Sequence, residues 1–246
     1  MAHVSIRGDR ELDLEAPTLV EGLPGAGLVG KIAADYLVET LEMDHVADVR
    51  CDGLPRVAVY RGGDPTTRAP VRIHAAEDRN LLVLASDVPV SPSAAPEFAD
   101  CITGWLDEHD VFPVYLSGLT EKREGVPDVY GIATGGATDR LETAGAGAPP
   151  EGGLVSGPTG ALLARADEVE FPSICLIART EGQFPDPEAA RAMLDGPIAA
   201  LTGVEVDTET LVERAEEVRA ARERLAQQLR DAGDESSEAQ PIRGFQ

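Results

Sequence analysis

The chain has 246 residues, 43% of them hydrophobic but only 4% aromatic, enough to bury roughly 70% of its unfolded surface around a core of Ala, Val, Leu and Ile. Twenty-one Lys and Arg against 44 Asp and Glu give a net charge of −23, which repels a phosphate backbone and excludes nucleic acid as the main ligand. No run approaches the ~18 apolar residues of a membrane span and no basic-then-apolar signal opens the chain, so a cytoplasmic protein without a membrane partner is expected.

In chain order, Leu19-Val20 ends a first short strand, Gly22 to Gly27 forms a turn-rich loop, and Leu28 to Leu41 reads as a helix. Further strands are expected at Arg56 to Tyr60, Val71 to Ala75, Leu81 to Ala85, Phe112 to Leu116, Val129 to Ala133 and Ile174 to Ala178. Several are unbroken apolar runs, as in strands covered on both faces. Helices interleave at Ser93 to His109, Gly160 to Ala166 and Pro187 to Leu201. The alternation predicts an α/β fold, a central mostly parallel sheet flanked by helices. Thr143 to Gly153, rich in Gly, Ala and Pro, reads as a mobile surface loop with nothing to pack.

The C-terminal region changes character. Leu211, Ala215, Val218, Arg222, Leu225 and Leu229 form a heptad seam with one Arg in it. Such a helix packs on its own domain or pairs with another helix or subunit. Asp231 to Gly244 holds too little apolar material to fold alone. The expected organisation is a core domain over 1–205, a C-terminal helix over 206–231 and a flexible acidic tail over 232–246.

Lys31 and Lys122 are the only lysines among the 21 basic residues. An acidic, Arg-dominated composition suits a halophilic cytoplasm, where molar salt screens charge over ~3 Å; an acidic protein from an ordinary cytoplasm is the competing reading. Either way, single surface carboxylates serve solubility, and 44 acids leave no catalytic pair to single out. Cys51, Cys101 and Cys175 are far apart in sequence and lack C-x-x-C spacing, which predicts buried reduced thiols and neither a disulfide framework nor a zinc site. His3, His45, His74 and His109 show no spacing of metal ligands or of a catalytic pair, and read as surface or capping groups.

The most informative local pattern is the loop Gly22-Leu23-Pro24-Gly25-Ala26-Gly27-Leu28-Val29-Gly30-Lys31. Gly25, Gly27 and Gly30 satisfy G-x-G-x-x-G between a strand and a helix, with Asp52 about 20 residues on, as in a dinucleotide site. Gly25, Gly30 and Lys31 also have P-loop spacing, but Ile32 stands where a metal-binding hydroxyl belongs. The competing reading is tight helix-on-sheet packing, with Gly25 or Gly27 in backbone angles other residues avoid. A helix N-terminus there still offers amides to an anion. The second small-residue loop, Gly152 to Gly160, lacks the glycines of a nucleophile elbow around Ser156 and reads as packing.

Together the motifs carry a resemblance. Glu21-Gly22-Leu23-Pro24-Gly25-Ala26-Gly27-Leu28-Val29-Gly30 with Ala33-Ala34-Asp35-Tyr36-Leu37, then Val155-Ser156-Gly157-Pro158-Thr159-Gly160-Ala161-Leu162-Leu163, then Thr180-Glu181-Gly182 and Pro185-Asp186-Pro187-Glu188-Ala189-Ala190, resemble archaeal members of the proteasome assembly chaperone 2 family, over about Thr18 to Leu229. The resemblance implies a fold similar to nucleoside phosphorylases, no established catalytic residues, homo-oligomers, and a role in building or binding the proteasome core particle. It also explains the glycine loop without a dinucleotide.

Some archaeal members dock between proteasome α subunits through a C-terminal hydrophobic-Tyr-any tripeptide. Here Gly244-Phe245-Gln246 keeps the penultimate aromatic as Phe but replaces the hydrophobic residue with Gly, while Ile242 lies two residues early. The expectation is a non-enzymatic chaperone-like protein without cofactor or metal. Its partners are proteasome α subunits and itself, with Ile242, Phe245 and Gln246 as candidate partner-binding residues. The alternative is a nucleotide- or nucleoside-binding phosphorylase-like enzyme using the Gly25–Gly30 loop.

Overall fold

The long apolar runs do become the centre of a sheet. In the computed structural model, which describes residues 3–6, 12–52, 54–60, 62–121, 125–181 and 185–211, β2 (Thr18–Gly22), β7 (Leu81–Ser86), β8 (Phe112–Thr120) and β10 (Ser173–Thr180) lie side by side and parallel. Antiparallel strands extend this centre on both sides: β6 (Val71–Ala76), β3 (Asp44–Arg50) and β1 (His3–Ile6) beyond β7, and β9 (Val129–Thr134) beyond β10. The order in the eight-stranded sheet is β1-β3-β6-β7-β2-β8-β10-β9. Every residue of β6 and β7 is buried, which is why both read as unbroken apolar runs.

Helices cover both faces, as the α/β expectation requires. On one face α1 (Val29–Thr40) packs with α5 (Pro187–Met193), which runs through a π turn at Leu194–Ile198 into α6 (Ala199–Thr202); α3 (Thr138–Ala144) joins them. The π turn accommodates Pro197, which has no N–H to give a regular helix. On the other face α2 (Ala95–Glu108) lies against α4 (Gly157–Glu168). Each face has its own core, one centred on Val29, Leu37, Leu116 and Met193, the other on Phe98, Ile102, Leu106 and Leu162. Leu211 is buried in the first, and the Tyr36 hydroxyl donates to the Asp207 carbonyl, fastening residues 207–211 to α1. The rest of the heptad segment and the whole tail, with Ile242, Phe245 and Gln246, lie outside the described residues.

Several local expectations need correction. The strand expected over Arg56 to Tyr60 contracts to β4 (Val59–Tyr60), paired with β5 (Thr67–Arg68) in a separate hairpin, because Val57 and Tyr60 point to solvent and have no core to join. β3 was not expected: its Asp and His residues mask the buried Val46, Ala47 and Val49, and a bulge between His45 and Ala47 breaks the alternation. The Thr143 to Gly153 stretch does have something to pack. Ala144 ends α3, Ala146 is buried, and the Gly131 amide donates to the Gly147 carbonyl at 2.9 Å. His45 and His74 face each other in the β3–β6 register and stack at 5.4 Å, with His74 buried. Cys51 and Cys101, 50 positions apart, meet in the core beneath α2.

Candidate functional site

The carboxyl ends of parallel strands are where open α/β sheets build their sites, and here the three motifs converge on them. On the α2–α4 side, Leu19 and Leu23 pack into the core while Glu21 between them is completely buried. Its Oε1 accepts the Leu23 amide at 3.0 Å and the Thr159 hydroxyl at 3.2 Å, and its Oε2 accepts the Leu116 amide at 3.0 Å. Burial outweighs these three donors and pushes the carboxyl up to about 7. Thr159 comes from the first turn of α4, so the Glu21 motif and the Thr159 motif form one knot. Burial likewise lifts the Tyr115 phenol and the Cys175 thiol, with the nearby Glu21 charge adding to each.

On the opposite side, the third motif closes over the glycine loop. The Asp186 amide donates to the Gly27 carbonyl at 2.8 Å, the Thr180 hydroxyl to Asp186 Oδ2 at 2.9 Å, and Asp186 Oδ1 caps α5 by accepting the Ala189 amide at 3.1 Å. Gly27 has φ +63°, and a Cβ there would overlap the Thr180 hydroxyl. Gly118, at the end of β8, faces the Ala26 carbonyl so closely that any side chain would overlap it. Gly30 lies against Leu116, while Gly25 has an extended backbone and open space around its α-carbon. Two of the three fingerprint glycines therefore serve close packing.

The remaining parts of a nucleotide site are elsewhere. Asp52 follows β3, which is separated from β2 by β7 and β6, three strand spacings or ~14 Å away. The Lys31 ammonium donates to the Ser86 carbonyl at 3.1 Å and pairs with Asp35 at 2.8 Å, away from the loop's amides. A cavity of about 770 Å³ does open between the end of α1, β3 and the β4–β5 hairpin, lined by Asp35, Glu39, Glu42 and Asp44 with Arg68 and Arg72. Its arginines are engaged, Arg72 with Asp87 at 2.6 Å and Arg68 with Asp64 at 2.5 Å, and the latter pair with the Thr66 donors holds Asp64 down at about 2. An acid-rich groove with paired cations suits a phosphate poorly.

What the carboxyl edge presents to solvent is apolar. Tyr60 is 80% exposed, Val126 85% and Leu154 86%, in the hairpin after β3, the connection after β8 and the approach to α4. Sequence reasoning overlooked all three, and Glu21 as well. A lone Glu ending an apolar strand was the available signal for the latter. Among the described residues no cluster of His, Cys, Asp or Glu could hold a metal ion, and no helix is long and apolar enough to cross a membrane.

A family model described as PAC2 family matches residues 19–226. Two uncharacterized proteins of Methanocaldococcus jannaschii are 27% identical over 220 residues, 89% of each chain, and 29% identical over 208 residues, 82% of this chain and 80% of the relative. The fold is similar to that of Pyrococcus furiosus PbaA, an archaeal homolog of proteasome-assembly chaperone, with TM-score 0.77, 26% identity and 95% of each chain covered. It is also similar to P. furiosus PbaB, an archaeal proteasome activator, with TM-score 0.73, 23% identity, and 92% of this chain and 100% of that one covered.

Proposed function

The chain belongs to the PAC2 family, and from that premise we propose that it is a non-enzymatic, chaperone-like protein of proteasome assembly that self-associates and binds proteasome α subunits. The similarity to PbaA over nearly the whole chain supports the proteasome connection. The observation that carries the binding reading is at the carboxyl edge: the strand ends are filled by the chain's own loop, with Gly27 against Thr180 and Gly118 against Ala26, while Tyr60, Val126 and Leu154 face outward. A surface of that kind favours partner contact over substrate capture.

The C-terminal tail supplies a second contact. Burying Phe245 contributes about 1.5–3 kcal/mol, and a charge-assisted bond from the terminal carboxylate about 1.5–3 kcal/mol. One tail therefore binds at about millimolar strength or weaker once association costs are counted. Several tails on one oligomer raise the effective affinity by about 10²–10⁴. The 14 residues from Asp231 to Gly244, as a flexible chain, reach roughly 20 Å and tolerate modest mismatch in spacing.

The test is co-purification of the tagged full chain with proteasome α subunits, beside a chain lacking Phe245-Gln246, with oligomer mass measured by light scattering. Capture by the full chain and its loss on truncation, at unchanged mass, is the expected result. Undiminished capture by the truncated chain overturns the tail's role, and no capture by the full chain overturns the function. A thermal-shift screen with NAD, ATP, nucleosides and phosphate tests the enzyme alternative, since a ligand at 100 times its Kd stabilises the native state by about 2.7 kcal/mol.

A further inference from the structure

We propose that Cys51 and Cys101 form a redox-responsive pair, closing a reversible intrachain disulfide between the end of β3 and α2 when a peroxide is present. Cys51 is the first residue beyond β3 and is 7% exposed; Cys101 lies on α2, half-buried, and packs against the same core cluster. The Cys51 thiol donates a hydrogen bond to the Cys101 sulfur. The contact is intramolecular and joins two elements that are 50 positions apart in sequence.

The pair is asymmetric in the way such chemistry requires. The shared hydrogen bond raises the Cys51 thiol, with burial adding to it, and lowers Cys101. Cys101, the more accessible of the two, is thus the attacking thiolate. Its sulfur attacks one peroxide oxygen, the O–O bond breaks, and the departing hydroxide takes a proton to leave as water. Cys101 is then a sulfenic acid. The Cys51 sulfur attacks it, the S–O bond breaks, and the Cys51 proton leaves with the hydroxide as a second water. Two thiols lose two electrons, and the peroxide gains them. Cys175, fully buried in the same core, lies outside this pair and serves as an internal control.

The bond would fix the start of the segment between β3 and β6, where the Leu54 amide already donates to the Cys51 carbonyl at 3.3 Å. That segment carries Val57 and Tyr60, so oxidation acts on one part of the apolar edge.

The test treats the full-length protein with hydrogen peroxide, blocks remaining thiols under denaturing conditions, and maps peptides by mass spectrometry without reduction. The expected product is a peptide pair joined at Cys51 and Cys101, two hydrogen masses lighter than the reduced peptides and separated by dithiothreitol, with Cys175 still alkylated. Both thiols remaining alkylatable, a disulfide between two chains, or Cys101 driven to sulfinic acid without a crosslink would each overturn the proposal. In Cys51→Ser, Cys101 should accumulate as a dimedone-reactive sulfenic acid; if no adduct forms, Cys101 is not the attacking sulfur.

Discussion

Thr159 and Glu21 are 138 positions apart in sequence, yet the threonine hydroxyl donates to the carboxyl at 3.2 Å inside the core. The bond joins the first turn of α4 to the end of β2. Removing it leaves a buried acceptor one donor short, which costs about 1–3 kcal/mol. Thr159→Val, nearly isosteric, should therefore lose that much stability in urea denaturation at pH 8. The loss should shrink at pH 5, where Glu21 is protonated and no longer depends on donors. Thr159→Ser should restore most of it.

Glu21 also sets a pH dependence of its own. Its folded-state value is raised from 4.5 to about 7, so the native protein holds this proton more tightly than the unfolded chain. The associated stability is fully present below about pH 4.5 and is lost as pH rises to about 7. A shift of that size corresponds to about 3 kcal/mol. Because the other carboxylates titrate too, the quantity to measure is the difference between the protein and Glu21→Gln in denaturant midpoints at pH 5 and pH 8. The protein should lose about 3 kcal/mol more than the variant across that interval. Parallel curves would place the Glu21 carboxyl in contact with water.

The sheet's centre was legible in the sequence because strands buried on both faces must be apolar throughout, as Leu81 to Ala85 and Ile174 to Ala178 are. The helices over α1, α2 and α5 were legible from apolar spacing and from Pro187 at the first turn. β3 was hidden because its register comes from β6 and β1 rather than from its own pattern. The meeting of Glu21 with Thr159, and of Cys51 with Cys101, is tertiary information that no local spacing encodes. The glycine fingerprint misleads for a related reason: close packing and phosphate approach both require the absence of a Cβ, and only the placement of Asp52 and Lys31 separates them.

That ambiguity can be tested within the loop. Gly25 has open space where a Cβ would stand, whereas Gly27 combines φ +63° with a Cβ position occupied by Thr180. If packing is what the loop is for, Gly25→Ala should shift stability by less than ~0.5 kcal/mol, and Gly27→Ala should cost ~2 kcal/mol or more through strain and overlap. Thermal melts of the two variants decide it. Equal losses in both would mean that the space around Gly25 is filled in solution.

The apolar edge makes the last prediction, because it separates folding from partner contact. Val126 and Leu154 are 85% and 86% exposed, so replacing either with Asp removes almost no buried area and should change stability by no more than ~0.5 kcal/mol. A charge placed in an interface is different: it must be desolvated without a partner, which weakens association by a few kcal/mol, about tenfold for each 1.4 kcal/mol. Val126→Asp and Leu154→Asp should therefore melt like the parent while oligomer mass or capture of α subunits falls. Light scattering reads the first and co-purification the second, on one preparation. A fall in mass alone assigns the edge to self-association; a fall in capture at constant mass assigns it to the proteasome subunit. If neither changes, the edge is solvent-facing and partner binding falls to the tail or to other surfaces.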